Sequence, residues 1–112
     1  MKFDFMGTPV FIKGLEVTKY ADGNPALIGL LQWGDDDYPD EQTLSINVPA
    51  SSGLLGKDEF FIKNYSEAVE IYGGLISLGI ITETGKTVQS GFVSIPVCKL
   101  TEKGKGLING NS

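Results

Sequence analysis

With 112 residues, 41% of them hydrophobic, and 14 acidic against nine basic side chains, the chain reads as one acidic domain large enough to bury a core without metal or disulfide staples. All nine basic residues are lysine, and histidine and arginine are both missing. This excludes Ser–His and Cys–His nucleophile pairs, and with them the neutral-pH proton shuttle and the bidentate grip on phosphate that these side chains supply.

The net charge of −5 is unevenly placed. Residues 1–56 hold eight acidic and three lysine side chains, whereas 57–112 hold six of each. Such a chain repels nucleic acid, so direct nucleic-acid binding is not expected; a basic protein surface is the complementary partner. Cys98 is the only cysteine and cannot form an internal bridge. No apolar run approaches the roughly 18 residues of a membrane span, and the opening MKFDFMGTPV alternates where a signal peptide would be continuously apolar. A cytoplasmic protein without membrane attachment, cofactor or metal is the expectation.

In chain order, Lys2 to Met6 alternates polar and apolar and predicts a first strand. Val10 to Tyr20 predicts a long second strand whose phase breaks at Gly14, where a bulge would restore the inward face. Ala21-Asp22-Gly23-Asn24-Pro25 is a turn, with Asp-Gly supplying positive φ. Ala26 to Trp33 is apolar on both faces apart from Gly29 and Gln32, as in a strand covered on both sides or facing a partner. Gly34 to Gln42 is a polar loop, and Thr43 to Val48 alternates as a strand with Thr43, Ser45 and Asn47 on a wet face. Residues 50–58 predict a flexible connection onto which Leu54 and Leu55 tuck.

Glu59 to Lys63 predicts a strand running straight into a helix over 66–78. Ser66 is placed to cap it, Glu67 complements its dipole, and Ala68, Ile71, Tyr72, Leu75 and Ile76 form one buried stripe. Gly79 is placed to end it in the left-handed region. Gly73 and Gly74 cost the helix about 1 kcal/mol each relative to alanine, tolerable where they face a sheet and weakening where they face water. Glu83 to Lys86 predicts a turn, and Phe92 to Leu100 a last strand, at a sheet edge or bulged because Pro96 lacks an N–H. From Thr101 the glycine-rich sequence predicts a flexible tail, giving a domain over 1–100 and a tail over 101–112. The fold class expected is α+β: a twisted, mainly antiparallel sheet of five or six strands with one helix on one face.

Chemistry has few places to reside. Cys98 has only Lys99 beside it to activate a thiolate and reads as a small strand residue. The sequence GLLGK (53–57) has the wrong spacing for a phosphate loop, and a 112-residue chain leaves little room for a sugar cleft between paired carboxylates. The only charged cluster is Asp35, Asp36, Asp37, Asp40 and Glu41 around Tyr38, with Trp33 just upstream. A calcium loop fails there, since Pro39, Asp40 and Ile46 occupy the fifth, sixth and twelfth positions. Two readings stay open: a solvated tip that keeps a strand pair soluble, or a partner-binding surface in which Trp33 and Tyr38 anchor and the carboxylates meet a basic groove. Trp33 also has a core reading, because it ends a hydrophobic strand.

Taken together, KYADGNPALIGLL, TLSINVP, EFFIKNYSE, the helix, LGIITETGK and SGFVSIPVCKL resemble in that order the small proteins of domain-of-unknown-function family 4313, found in Firmicute phages, plasmids and conjugative elements. The likeness covers Val17 to Leu100; its most specific parts are Ile62 to Glu67 and Gly91 to Pro96, and the acidic insert Asp35 to Asp37 is its least familiar part. It brings no catalytic residues. What the resemblance implies is a mobile-DNA setting and a non-enzymatic accessory protein: an inhibitor of a host defence nuclease, of the anti-CRISPR or antirestriction kind, or a structural or oligomerising protein of plasmid or phage maintenance, with a homodimer one such state.

Overall fold

The computed structural model describes residues 1–34, 37–66 and 68–108. Among them, seven strands form two mainly antiparallel sheets, where a single sheet of five or six strands was expected. The first sheet is a meander of β1 (Lys2–Phe5), β2 (Thr8–Lys19), β3 (Pro25–Trp33) and β4 (Asp40–Thr43). The second has the order β5-β7-β6, from β5 (Glu59–Phe61), β6 (Ile81–Ser90) and β7 (Val93–Leu100).

A seam at Leu44 to Ile46 joins them. Leu44 donates its N–H to Leu27 of β3 (2.8 Å), while Ile46 donates to Phe61 (2.9 Å) and Lys63 donates back to Leu44 (3.0 Å). One face of Thr43 to Val48 was expected to be wet, yet Ser45 is 1% exposed. Its Oγ accepts from Leu27 N (2.9 Å) and shares a hydrogen bond with Tyr20 Oη (2.9 Å). The chain is leaving β3 here for β5, so a side chain takes over a bond that the ladder no longer supplies. Further along, Asn47 contacts both Asn24 and Asp22, tying the β2–β3 turn to the seam.

The bulge in β2 falls between Ile12 and Gly14, where the apolar phase breaks. β6 departs further from expectation. Glu83 to Lys86 is no turn; it is a wide bulge inside the strand, with Glu83 opposite Cys98 and Thr87 opposite Pro96. The hairpin turn lies instead at Gly91, φ 61°. β7 is accordingly the central strand, and Pro96 is tolerated there because its backbone faces the point where β5 ends: its carbonyl accepts from Ile62 N (3.1 Å) just past Phe61. At the β6 bulge, Thr84 Oγ1 fills the gap by donating to Val97 O (2.8 Å).

Helix α1 (Ala68–Ser77) packs against β1 and β6. Ser66 is not in the extended conformation of a cap: its φ is +54°, and its carbonyl accepts from Val69 N (3.3 Å). Glu67, expected near the dipole, lies outside the described residues. At the other end Gly79 (φ 75°) donates to Ile76 O (3.0 Å) and Ile80 to Leu75 O (3.0 Å), the paired bonds of a Schellman stop.

Two clusters of buried side chains result. Ile71 and Leu75 of α1 meet Phe3, Ile12, Leu27, Leu44, Ile62 and Leu100 in the larger one. Phe61, Val88, Ile95 and Val97 lie on the opposite face of the second sheet, packed with Val48 and Leu55. The connection after β4 contains a 3-10 segment at Pro49–Leu54, and of its two leucines only Leu55 tucks in; Leu54 is 40% exposed. The expected flexible tail is folded as far as Ile108. Thr101 caps a short helix α2 (Glu102–Lys105), and Leu107 O accepts from Leu15 N (2.7 Å), extending the edge of β2 beyond β1.

Candidate protein-binding site

The meander sets its acidic end by register. Phe5 pairs with Thr8 across the β1–β2 turn, and Gly34 donates to Pro9 O (2.9 Å). The Met6–Gly7 turn and Gly34 therefore share one end of the first sheet, and Tyr38 and Pro39 lead into β4 from that end. Met6 is 82% and Tyr38 81% exposed there. Asp4, Asp37, Asp40 and Glu41 are exposed around them, and no basic residue occurs between Lys19 and Lys57.

The seven residues singled out from sequence separate into groups. Trp33 is half-buried and turned inward, its ring edge-on to Phe5 at 4.9 Å between centroids, so it closes the larger core and is no free anchor. Asp35 and Asp36 lie outside the described residues. Asp37 and Tyr38 are on the exposed connection, whereas Asp40 and Glu41 belong to β4, although the polar loop was expected to run to Gln42. Asp40 pairs with Leu31 and Glu41 with Leu30. The pleat thus sends these two carboxylates to opposite faces of the sheet. Met6, which sequence reading did not select, joins the site because a two-residue turn with φ 51° at Met6 and 89° at Gly7 lifts its side chain into solvent.

A second polar group sits under α1. Tyr72 donates its phenolic O–H to the Glu83 carboxylate, and Cys98 Sγ lies 3.7 Å from Tyr72 Oη. Burial pushes the Cys98 thiol up to about 11, and burial together with the Glu83 bond pushes the Tyr72 phenol above its ordinary range. Both therefore stay protonated at neutral pH, the opposite of an activated nucleophile. Two ion pairs, Lys86–Glu59 (2.7 Å) and Lys105–Asp58 (2.9 Å), fasten strand ends to the bulge and to α2. The Lys86 ammonium and the Gly56 N–H hold the Glu59 carboxyl below its usual range. A cleft of about 20 Å³ between α1 and the seam, lined by Leu44, Ile62 and Tyr72, has room for about one water. Among the described residues no three metal-ligating side chains come together, and no helix is long and apolar enough to cross a membrane.

Comparisons with protein-family models, with curated proteins and with solved structures found no match.

Proposed function

We propose that this is a non-enzymatic protein-binding protein of the cytoplasm, whose acidic sheet end docks on a basic surface of a host protein. The observation that carries this reading is the pairing of two almost fully exposed apolar side chains, Met6 and Tyr38, with Asp4, Asp37 and Asp40 at a sheet end that has no lysine of its own. An exposed aromatic and a thioether offer anchoring area, and the carboxylates steer a cationic partner and set register. In the mobile-element setting that the family resemblance implies, the partner is a host nuclease and the activity inhibition of defence.

Affinity capture from a host lysate at low salt tests it, comparing the native chain with a Tyr38→Ala variant and with a combined Asp37→Asn, Asp40→Asn variant. Capture of a basic protein by the native chain, weakened about tenfold or more in both variants and by added salt, is the expected result. Undiminished capture would remove this end of the sheet as the site.

A further inference from the structure

β1 is the outer strand of the first sheet: β2 lies on one side of it and, among the described residues, no strand lies on the other. Met1 O accepts from Ile12 N (2.9 Å), and in an antiparallel ladder the bonded pairs fall at every second residue. Phe3 and Phe5 therefore turn their backbone groups to β2, while Lys2 and Asp4 turn theirs away from it. Pro9, opposite Asp4, agrees, because it has no N–H to give. The N–H and C=O groups of Lys2 and Asp4 thus face a groove of about 310 Å³ whose other wall is α1, through Glu70, Gly73 and Ser77. Gly74 brings that helix down onto the Phe3 ring, and Gly73 beside it leaves open space where a side chain would otherwise stand. Four residues of strand run about 13 Å and ten of helix about 15 Å, so the two walls match in length.

We propose that this groove takes up an extended segment of another protein as a further strand, antiparallel to β1. An edge strand facing a helix across such a groove has what strand addition needs: main-chain donors and acceptors aimed out of the sheet on one wall, and side-chain room against the other. The charges specify the segment. Lys2 and Asp4 are exposed and stand two residues apart on the same face of β1, and among the described residues neither has an ion-pair partner. An antiparallel segment bonded to both sets an acidic side chain opposite Lys2 and a basic one opposite Asp4. The residue between them lies opposite Phe3 and turns to the α1 side, where Gly73 leaves room for a small side chain. From N- to C-terminus the segment reads basic, small, acidic.

This chain supplies no such segment itself: none of its nine lysines is followed by Gly, Ala or Ser and then by a carboxylate. A second copy of β1 has Lys2 and Asp4 in the right order, but it puts Phe3 where a small residue belongs and carries its own α1 over that ring. The occupant is accordingly a different chain. Asp4 is the one residue that the groove shares with the exposed Met6 and Tyr38 end, and strand addition makes no use of Met6 or Tyr38.

Titration of the chain with two synthetic peptides of equal composition, acetyl-TVKAEVT-amide and acetyl-TVEAKVT-amide, tests the proposal through its amide NMR spectrum. Saturable shifts at Lys2, Asp4, Gly73 and Ser77 are the expected result. The first peptide binds about five- to tenfold more tightly than the second, because reversing the order turns two favourable cross-strand charge pairs into two pairs of like charge. Lys2→Glu combined with Asp4→Lys reverses that preference; both are exposed strand residues, so the swap leaves the core untouched. Gly73→Leu fills the groove from an exposed helix position and weakens binding of the first peptide about tenfold or more. Tyr38→Ala binds the peptide as the native chain does, which separates failure of the Met6 and Tyr38 site from failure of the groove. No saturable shift at millimolar peptide, equal affinity for the two orders, or a preference that survives the charge swap overturns the proposal.

Discussion

Gly74 of α1 lies directly on the ring of Phe3 in β1: a Cβ at this position would stand 2.6 Å from the ring Cδ2 and 2.8 Å from the Phe3 Cβ. Its neighbour Gly73 has nothing within 4 Å of the same imagined atom. Two glycines with the same intrinsic cost to a helix thus stand in opposite circumstances. Gly73→Ala is expected to stabilise the protein by about 0.5 to 1 kcal/mol through helix propensity. Gly74→Ala gains the same propensity but drives a methyl into a ring that is 8% exposed and backed by the core. Overpacking of that kind costs about 1 to 3 kcal/mol, so the net change is destabilising by about 1 to 2 kcal/mol. Urea denaturation of both variants checks the opposite signs.

Ser45 supports the seam between the sheets through one oxygen. Ser45→Ala leaves the Leu27 N–H buried without an acceptor and is expected to cost about 2 to 3 kcal/mol, whereas Tyr20→Phe removes only the second bond and costs about 1 kcal/mol. Equilibrium denaturation measures both. Equal losses in the two variants would contradict the role of Ser45 as a substitute for the ladder.

Thr101 secures the C-terminal segment. Its Oγ1 lies 2.6 Å from Gly79 O and 2.9 Å from Ile80 O, and it accepts from Gly104 N at 3.0 Å. Thr101→Val is expected to destabilise by about 1 to 2 kcal/mol through loss of this cap. Truncation after Leu100 costs more, about 3 kcal/mol, because it also uncovers the core beneath Leu107 and Ile108 and orphans the Leu15 N–H. A truncated chain as stable as the whole would show the segment to be dispensable.

The pH dependence of stability is expected to carry a mark of Cys98. Its thiol is raised from 9.0 to about 11 in the folded chain, so above pH 9 the unfolded state loses this proton first. The associated stability is intact below pH 9 and is lost as pH climbs to about 11, a decline of about 2 to 3 kcal/mol at 1.36 kcal/mol per pH unit. Comparing denaturation of the native chain and Cys98→Ala across this range isolates it from the titration of lysines. The same burial predicts that a thiol reagent reaches Cys98 only after unfolding.

Short-range chemistry was legible residue by residue. Asp22-Gly23 marks the β2–β3 turn, Gly79 the helix stop, Gly14 the β2 bulge, and the spacing of Ile71 and Leu75 the buried stripe of α1; each follows from φ preference or side-chain period within a few residues. The α+β class follows from the same periods. For the candidate site, the exposure of Tyr38 and the acidic character of this end of the sheet were legible, but Trp33 was not separable from it, since an aromatic at a strand end reads alike as core or anchor until Phe5 is brought to its ring edge.

What only the tertiary structure decided depends on residues far apart in the chain. Sequence presents Ser45 as a wet-face residue because alternation counts side chains but cannot say that the chain will cross from β3 to β5 and bury Ser45 at the crossing, while Thr43 stays exposed. Pro96 signals a missing N–H, and only the pairing shows that this position faces the end of β5, where a central strand tolerates it. The stretch from Thr101 to Ile108 has no period of its own, and its order comes from caps and contacts offered by Gly79, Ile80 and Leu15. Composition determined that the chain is acidic, without histidine and served by one cysteine. Register determined which carboxylates share a face, because in a strand one residue's step reverses the side on which a charge stands.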